Sequence, residues 1–323
     1  MIDVVAIGEL LIDFTCLQTD ADGYPTMAAH PGGAPANFLA ALAKFGAKTA
    51  LLGKVGKDAF GNMLIGSLEK AGIDTRGIVQ DKAVFTTLAF VTLDAQGDRE
   101  FSFARKPGAD TCLKFEELRL ELIDEAKILH FGTLSLTDEP SRSATVQAVA
   151  YARQKGKLIT FDPNLRKPLW PAPEAAKEQM LWGLEQADVV KISDEEVDFL
   201  FGLSPEDGAE YILAHFGVRL VFVTCGAKGC VFRSAGEKGA VGAVPGICVV
   251  DTTGAGDIFG GSAVWKLLTE QTSPEQLSEA QLREIAAFAC TAASLSTTQP
   301  GGISSVPELA SVLGKMKEQE TGL

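Results

Sequence analysis

Short apolar runs, each ended by a glycine or a polar residue, recur along the chain and alternate with stretches of helical period. Runs typical of buried strands lie at residues 4–8, 49–55, 128–131, 158–161, 189–192 and 220–224. In the stretches between them, apolar residues recur every three or four positions, as they do along one face of a helix. Because strand–helix–strand units place successive strands parallel, this rhythm predicts an α/β fold with a doubly wound, mostly parallel sheet.

Residues that start helices support this division. Gly32 and Gly33 precede Pro35, and apolar residues at helical spacing follow from Phe38. Proline suits the first turn of a helix, so the glycine turn is predicted to open one. Near the end of the chain, β-rich runs at 230–233 and 247–250 are followed by two long helical patterns at 254–269 and 277–296.

Two segments depart from this rhythm. Residues 87–93 and 100–103 are β-rich and flank a turn-like stretch at 95–98, which is typical of an antiparallel hairpin. Phe101 and Phe103 alternate with polar neighbours, so one face of the hairpin is apolar. We predict a single domain over residues 1–323, in which segments at about 13–31 and 86–106 form a small separate β-sheet, or lid.

The composition is that of a packed globular protein, and it restricts the classes of partner. Of the 323 residues, 46% are hydrophobic and 22% are charged, and the net charge is −13 at pH 7. Binding to nucleic-acid backbones or anionic membranes depends on Lys and Arg, so we expect neither partner. Backbone N–H groups and Mg²⁺ can still bind ATP within an acidic protein.

Cysteine and histidine usage gives a further expectation about location. The six cysteines form no C-x-x-C pair and the three histidines lie far apart, so no zinc site is predicted. Met1 leads directly into a strand-like run without the features of a secretory leader, and no apolar run reaches about 18 residues. We therefore expect a reducing, cytoplasmic location.

The strongest chemical signal is Asp-Thr-Thr-Gly-Ala-Gly-Asp at 251–257, which precedes a helical stretch. Gly254, Ala255 and Gly256 leave backbone N–H groups open to an anion, and the helix dipole favours negative charge there. Asp257 at this positive end is suited to act as a base for a hydroxyl that attacks a phosphate. An ordinary helix cap with a first-turn acid, worth roughly a few tenths of a kcal/mol, explains the spacing about equally well.

A second group of candidates lies around the first glycine turn. Gly32 and Gly33 allow a ligand to approach the backbone closely, and Asn37 offers a donor and an acceptor to hydroxyl groups. Asp13, just after the first strand, could accept two hydrogen bonds from a sugar. Taken alone, each of these residues is explained as well by a tight turn or a solvated side chain.

Three polar loops follow later strand-like runs, where open α/β sheets bind ligands. Asn164 and Arg166, in the first loop, suit a hydroxyl and a phosphate. The second loop, 191–196, ends in Glu196, which could orient Mg²⁺ through water. The third, 224–229, is a glycine turn that could lie along nucleotide phosphates. A polar loop, a helix first turn and a hairpin are the corresponding structural alternatives.

Several common nucleotide and hydrolase motifs are absent from the sequence. There is no G-x-x-x-x-G-K-[S/T] loop, no G-x-G-x-x-G after the first strand and no G-x-S-x-G elbow. The protein-kinase catalytic loop is absent as well.

Residues 32–37 and 251–257 resemble the two signatures of the ribokinase-like (PfkB-type) carbohydrate kinases, and the resemblance extends over essentially the whole chain. It implies a large α/β/α body with a small β lid, ATP and Mg²⁺ as cofactors, and often a stimulating monovalent cation such as K⁺. Within the family the chain is most similar to fructokinases, through the segments 32–35, 101–110, 161–166 and 191–196.

The resemblance implies a role for each candidate residue. The catalytic base would be Asp257, with an anion hole formed by Gly254, Ala255 and Gly256. The sugar would be held by Asp13, Gly32, Gly33, Asn37, Phe103, Arg105 and Asn164. ATP would be bound by Arg166, Lys191, Ser193, Thr224, Gly226, Gly229 and Cys290. Metal ions would be held by Glu196 (Mg²⁺, through water) and by Asp251 and Thr253 with the 301–305 loop (a monovalent cation).

Three positions differ from patterns common in the family. Ala104 stands where fructokinases usually carry Tyr, so we expect one aromatic contact fewer in the lid. Cys290 stands where the family often has Asn near the adenine, which would loosen the purine contact. Ser193 replaces the Asn of the ribokinase metal motif, a change that fructokinases share.

The resemblance implies ATP-dependent phosphorylation of D-fructose at its 6-hydroxyl. A 2-keto-3-deoxygluconate kinase or a riboside kinase is the alternative within the family, the first because Arg105 could pair with a substrate carboxylate. A sugar-binding regulator without turnover is the alternative from another class, and the intact Asp257 motif argues against it. Because an apolar lid face often pairs with a second lid in this family, a homodimer is expected.

Overall fold

A computed structural model describes residues 1–93, 99–270 and 272–321. The strands are β1 (Val4–Ile7), β2 (Leu11–Thr19), β3 (Pro25–Gly32), β4 (Thr49–Gly56), β5 (Ile73–Asp74), β6 (Ile78–Asp81), β7 (Leu88–Leu93), β8 (Arg99–Ala104), β9 (Ile128–Gly132), β10 (Leu158–Asp162), β11 (Val189–Ser193), β12 (Leu220–Thr224), β13 (Cys230–Ser234) and β14 (Lys238–Val241). The helices are α1 (Ala34–Lys44), α2 (Ala59–Lys70), α3 (Leu120–Glu125), α4 (Ser141–Gln154), α5 (Pro173–Gln186), α6 (Asp194–Phe201), α7 (Pro205–Phe216), α8 (Ala255–Glu270), α9 (Glu279–Ser296) and α10 (Leu309–Thr321).

The large sheet has the strand order β14-β13-β12-β11-β10-β9-β1-β4-β5, with β6 paired to β4. The strands from β12 to β5 run parallel, and β13 and β14 add an antiparallel edge. The chain leaves β1 toward β4 on one side and later returns to its other side as β9. Ligands bind at such a switch point, beyond the carboxyl ends of the strands. The predicted doubly wound α/β fold is confirmed.

The large sheet lies between two layers of helices, and alternating residues of the central strands explain this arrangement. In β1, Val5 and Ile7 pack into a core with α4 to α7, whereas Val4 and Ala6 pack into a second core with α1, α2, α8 and α9. Successive side chains of a strand point to opposite faces, so an uninterrupted apolar run buries both faces. Each fully buried aliphatic side chain contributes about 1.5–3 kcal/mol to this arrangement.

A separate four-stranded sheet has the order β3-β2-β7-β8 and forms the lid. It combines two distant chain segments, because β2 pairs antiparallel with β3 and parallel with β7. Phe14 of β2 stacks on Phe90 of β7, with ring centroids 5.2 Å apart, and meets Phe60 of α2 edge-on at 5.6 Å. These aromatic contacts hold one face of the lid against the body.

The predicted strand at 247–250 is wrong. The structure has no strand there, and Val249 and Val250 are 59% and 62% exposed. The run has β propensity, but its backbone bonds go to a helix end, with the Val250 N–H donating to the Thr297 carbonyl at 2.7 Å. The predicted hairpin turn at 95–98 lies outside the described residues. Within the described ranges, no helix is both long and apolar enough to cross a membrane.

Candidate active site

The amino end of α8 lies where two cavities meet. Gly254 has φ +74°, a left-handed conformation that suits glycine, and it turns the chain into the helix. The Ile258 N–H then donates to the Gly254 carbonyl at 2.8 Å, so the helical bonding begins at this residue. Ala255 and Gly256 form the first turn, and the Ala255 N–H donates to the Thr252 carbonyl at 3.2 Å. The helix dipole favours an anion at this end.

Asp257 projects from this first turn and is 8% exposed. Its Oδ2 accepts a hydrogen bond of 2.9 Å from Nδ2 of Asn37 in α1. Burial raises the pKa of the Asp257 carboxyl, whereas Asn37, Lys191 and Arg166 oppose that rise by favouring the charged form. A carboxyl with a raised pKa is better matched to accepting a proton near neutral pH than an ordinary aspartate is.

Asn37 is fixed from two sides by glycines. A side chain at Gly302 would collide with its Oδ1, and a Cβ at Gly254 would lie 3.2 Å from its Nδ2. The Asn37 Oδ1 atom is buried and has no hydrogen-bond partner among the described residues. This orphaned acceptor suits a donor group that binds nearby, because leaving it unpaired costs about 1–3 kcal/mol.

A polar cavity of about 150 Å³ opens between the lid and the carboxyl ends of the strands. Predicted residues that line it are Asp13, Gly33, Asn37, Phe103, Asn164, Arg166, Thr253, Gly254 and Asp257. Desolvation raises the pKa of Asp13 to about 6, although Arg166 lowers it and Asp257 raises it further. Carboxylates and amides around a small cavity are suited to binding several hydroxyl groups.

A larger cavity of about 400 Å³ lies on the other side of the α8 amino end. Predicted residues that line it are Thr224, Gly226, Gly229, Ala255, Gly256 and Cys290. Its wall is mainly apolar and includes Val244, Ile247 and Phe259, as expected for a site that holds a planar base. Thr252 lines both cavities, so the two meet at the glycine turn.

Asp251 connects the glycine turn to the 301–305 loop. Its Oδ1 accepts hydrogen bonds from the N–H (2.9 Å) and the hydroxyl (2.7 Å) of Thr253, and its Oδ2 accepts from the Gly301 N–H at 2.9 Å. Carboxylate oxygens are ligands that hard cations prefer, and the Thr253 hydroxyl oxygen lies beside them. The residues therefore fit the predicted monovalent cation site.

Glu196 occupies a capping box rather than the cavity wall. Its Oε2 accepts from the Ser193 N–H at 2.8 Å, its Oε1 accepts from the Leu165 N–H at 2.7 Å, and Oγ of Ser193 caps α6. Both oxygens retain acceptor capacity for a metal-bound water. Among the described residues, no cluster of three His, Cys, Asp or Glu side chains could hold a metal by itself. Mg²⁺ at such sites is commonly held by one or two carboxylates together with substrate phosphates.

Four other candidates do not line the two cavities, and one of them is Ser193, whose hydroxyl caps α6. Gly32 packs directly on the Asp13 side chain, and a Cβ at position 32 would collide with the Asp13 carboxyl group. Lys191 pairs with Asp162 at 3.1 Å, and its Nζ lies behind the turn, 2.9 Å from where a Cβ of Gly256 would stand. Arg105 is turned away from the polar cavity, with its guanidinium bound to Asp110. Direct ligand contacts by these residues stay predictions.

Sequence reasoning missed Glu9, which lines the polar cavity and is 3% exposed. Its Oε1 accepts a bond of 2.8 Å from the Ala34 N–H at the start of α1. Desolvation raises the pKa of Glu9 to about 7, partly offset by that hydrogen bond and by Arg105. The position of Glu9 in the sequence could have identified it as a site residue, because it follows β1 almost directly and the carboxyl ends of parallel strands form the site.

Comparison with known proteins identifies the class. The sequence profile of the pfkB family of carbohydrate kinases matches residues 1–309, and the chain belongs to that family. Similar proteins include Fructokinase-2 of Solanum lycopersicum, which is 43% identical over 317 residues, covering 97% of this chain and 96% of that protein. Fructokinase-1 of Zea mays is 42% identical over 313 residues, covering 96% of each.

Solved structures agree with this assignment. The fructokinase of Xylella fastidiosa with bound ATP superimposes with a TM-score of 0.90 at 31% identity, over 98% of this chain and 99% of that one. The fructokinase of Vibrio cholerae O395 with fructose, ADP and calcium gives a TM-score of 0.85 at 31% identity, over 98% and 99%. A putative ribokinase II of E. coli with ATP and Mg²⁺ gives 0.87 at 28%, over 98% and 100%.

Proposed function

We propose that this chain is an ATP-dependent fructokinase that transfers the γ-phosphoryl group of ATP to the 6-hydroxyl of D-fructose. Family membership and the fructokinase relatives support this activity. The observation that carries the proposal is the buried Asp257, which lines the polar cavity directly after Ala255 and Gly256, two residues that line the apolar cavity. A base at this position would meet an alcohol in the polar cavity, next to the helix end at which a phosphoryl group would bind.

The polar cavity is assigned to the sugar. Asp13 and Asn164 offer hydrogen-bonding groups to sugar hydroxyls, and the volume of about 150 Å³ suits a single monosaccharide. Among the described residues, Glu9, Asp13 and Asp257 bring three carboxyl groups to the lining of this cavity against the one cation of Arg166, and this balance disfavours an acidic sugar. Arg105, the residue that kept 2-keto-3-deoxygluconate as an alternative, is already paired with Asp110. A neutral sugar therefore has better support than an acidic one.

The reaction follows from the position of the groups. Asp257 accepts the proton of the attacking hydroxyl, while the sugar oxygen bonds to the γ-phosphorus and the bond to the β-phosphate oxygen breaks, so that ADP leaves. The N–H groups of Gly254, Ala255 and Gly256 stabilise charge on the transferring group. One well-placed donor of this kind contributes roughly 3–4 kcal/mol to transition-state stabilisation.

ATP and a divalent metal act together in this proposal. Glu196 would hold the water shell of Mg²⁺, which when bound with ATP would supply positive charge to the phosphates. Asp251 and Thr253 would hold K⁺ with the 301–305 loop, and a cation bound there would help to order the turn that carries the anion hole. Turnover that is independent of the monovalent cation present would contradict this part of the proposal.

Two further expectations accompany the enzyme. Six free cysteines fit a reducing compartment such as the cytoplasm. Leu17 and Tyr24 in the lid are 66% and 71% exposed, which fits a homodimer formed through the lid. Sedimentation at micromolar concentration would test the dimer, and a purely monomeric protein would contradict it.

The decisive experiment is a coupled ADP-release assay with Mg·ATP and a panel of fructose, 2-keto-3-deoxygluconate, ribose and nucleosides. Fructose is expected to give the highest kcat/KM, with fructose 6-phosphate as the product identified by NMR. Preference for a riboside or an acidic sugar would reassign the substrate. Absence of ADP release with every sugar would favour the sugar-binding regulator instead.

A further inference from the structure

The second lid segment leaves and rejoins the body at two adjacent residues. Thr87 immediately precedes β7 and Arg105 immediately follows β8, and the strand ends are paired as Leu88 opposite Ala104. The Thr87 carbonyl also accepts a 3.1 Å hydrogen bond from the N–H of Ile12 in β2, which connects this crossing to the first lid segment. Thr87 and Arg105 therefore define the base of the lid.

One carboxyl group joins both sides of this base. Asp110 is 5% exposed, and its Oδ1 accepts a short hydrogen bond from the Thr87 hydroxyl. Its Oδ2 accepts from Nε of Arg105 at 2.8 Å and lies 2.7 Å from Nη2. A Cβ at Gly108 would collide with the Thr87 hydroxyl, so a glycine is required for this contact.

The same arginine connects the lid base to the wall of the sugar cavity. Nη2 of Arg105 donates to the Leu134 carbonyl at 2.8 Å, and Nη1 donates to the Thr137 hydroxyl at 2.7 Å. Leu134 lines the polar cavity, as do Val91 of β7 and Phe103 of β8. Asp110 itself does not line that cavity, so its hydrogen bonds reach the sugar site through Thr87 and Arg105.

We propose that Asp110 is a positioning residue for sugar phosphorylation, because its carboxylate locks the two crossings of the lid and so sets where the lid strands face the sugar. The inference rests on the proposed function for its choice of substrate. A buried ion pair that bridges two chain segments is sensitive to removal of one partner. Without the Asp110 charge, the nearest ion-pair partner of buried Arg105 is the exposed Asp138, at 3.6 Å. Displacement of a lid strand by about 1 Å is enough to lower catalysis by up to about a hundredfold.

A substrate-free measurement tests the anchoring directly. In the ligand-free protein, Asp110→Asn is expected to speed hydrogen exchange of the β7 and β8 amides by about tenfold or more, while β1 and β9 keep wild-type exchange. This measurement does not depend on which sugar is the acceptor. Unchanged exchange in β7 and β8 would overturn the inference.

Kinetics test the consequence for the reaction. Asp110→Asn is expected to raise the KM for fructose about tenfold while the KM for ATP stays within about twofold, because the ATP cavity lies in the body. Sugar-independent ATP hydrolysis should rise relative to sugar phosphorylation, since a displaced lid admits water. Thr87→Val should act in the same direction, and Thr87→Ser, which keeps the hydroxyl, should restore wild-type values.

Asp188→Asn is the matched control. The Asp188 carboxylate also joins two segments, accepting from the Ile159 N–H at 2.8 Å and pairing with Arg219 at 3.2 Å, but it lies at the amino ends of the strands. The Asp188→Asn variant is expected to have a lower Tm without a change in hydrogen exchange of the lid amides or in the ratio of the KM for fructose to the KM for ATP. An equal effect of Asp188→Asn on that ratio would overturn the inference, because general destabilisation would then explain it.

The failure of each proposal can be recognised separately. If the wild-type protein phosphorylates no sugar, the proposed function fails, and the exchange measurement still decides whether Asp110 anchors the lid. If the wild type is active but the Asp110 and Thr87 variants show an unchanged KM ratio, only the further inference fails. Should Asp110→Asn not fold, the pair Thr87→Val and Thr87→Ser decides by the same measurements.

Discussion

Replacing the proposed base, Asp257→Asn, tests the chemistry at its centre. An Asn carbonyl oxygen can accept the same hydrogen bond from Asn37 that the Asp257 Oδ2 accepts at 2.9 Å, so the local geometry should persist. What is lost is the group that takes the proton. General base catalysis contributes about 10²–10⁴ to a rate, so kcat should fall by that factor, or about 3–5 kcal/mol of transition-state stabilisation.

The structure also predicts a gain in stability from the same change. Burial raises the pKa of Asp257 above its usual 3.8, so folding favours the neutral carboxyl. That favourable contribution is complete below pH 3.8 and disappears as the pH rises through the folded-state pKa, because the buried group must then ionise. Asp257→Asn should therefore have a higher Tm than the wild type at pH 8 and a smaller advantage at pH 4.

The assay combines coupled ADP release, calorimetric ATP binding and thermal denaturation. The expected pattern is a large loss of kcat, ATP affinity within about twofold of wild type, and a higher Tm at pH 8. A variant with kcat within about tenfold of wild type would refute the role of Asp257 as the base. A large loss of both kcat and Tm would show that the carboxylate is needed for folding rather than for proton transfer.

Three other changes test separate parts of the site. Because the pKa of Glu9 is raised from 4.5 to about 7, its contribution to stability should decline by roughly 3 kcal/mol as the pH rises through that window. Urea titrations at pH 5 and pH 8 should therefore show a smaller fall in the free energy of unfolding for Glu9→Gln than for the wild type. An equal fall in both proteins would contradict the assignment. Gly254→Ala places a Cβ 2.9 Å from Cα of Gly302, at a residue whose φ is +74°. The kcat measured by ADP release should therefore fall about tenfold or more, while circular dichroism shows a folded protein. Cys290→Phe should raise the KM for ATP about tenfold and leave the KM for fructose unchanged, because Cys290 lines only the apolar cavity. If only the KM for fructose changed, the apolar cavity would be the sugar site instead of the ATP site.

The sequence predicted the architecture wherever local pattern and tertiary structure agree. The apolar runs that became β1, β4 and β9 to β12 are buried on both faces, so their hydrophobicity was sufficient evidence. The run at 247–250 had similar residue types but no partner strand, and strand formation requires a partner. β propensity alone could not distinguish these cases.

The candidate site was predictable where a motif fixes backbone geometry. Gly254 must adopt positive φ and Asp257 must follow in the first turn, so their relative placement was implied by the sequence. Arg105 illustrates the limit. A guanidinium can reach either the cavity or a buried carboxylate, and the presence of Asp110 five residues later does not decide between them. Only the packing of the lid base makes that choice.

The lid is built from segments that contribute to one cavity and leave the other untouched. Val91 and Phe103 line the polar cavity, assigned to the acceptor, whereas Thr224 and Cys290 of the body line the apolar cavity, assigned to the nucleotide. Substitutions confined to the lid strands can thus change which alcohol is accepted while the binding site for the phosphate donor stays unaltered. An engineer seeking new acceptors should randomise positions on β2, β7 and β8 first, and should preserve the glycine turn before α8.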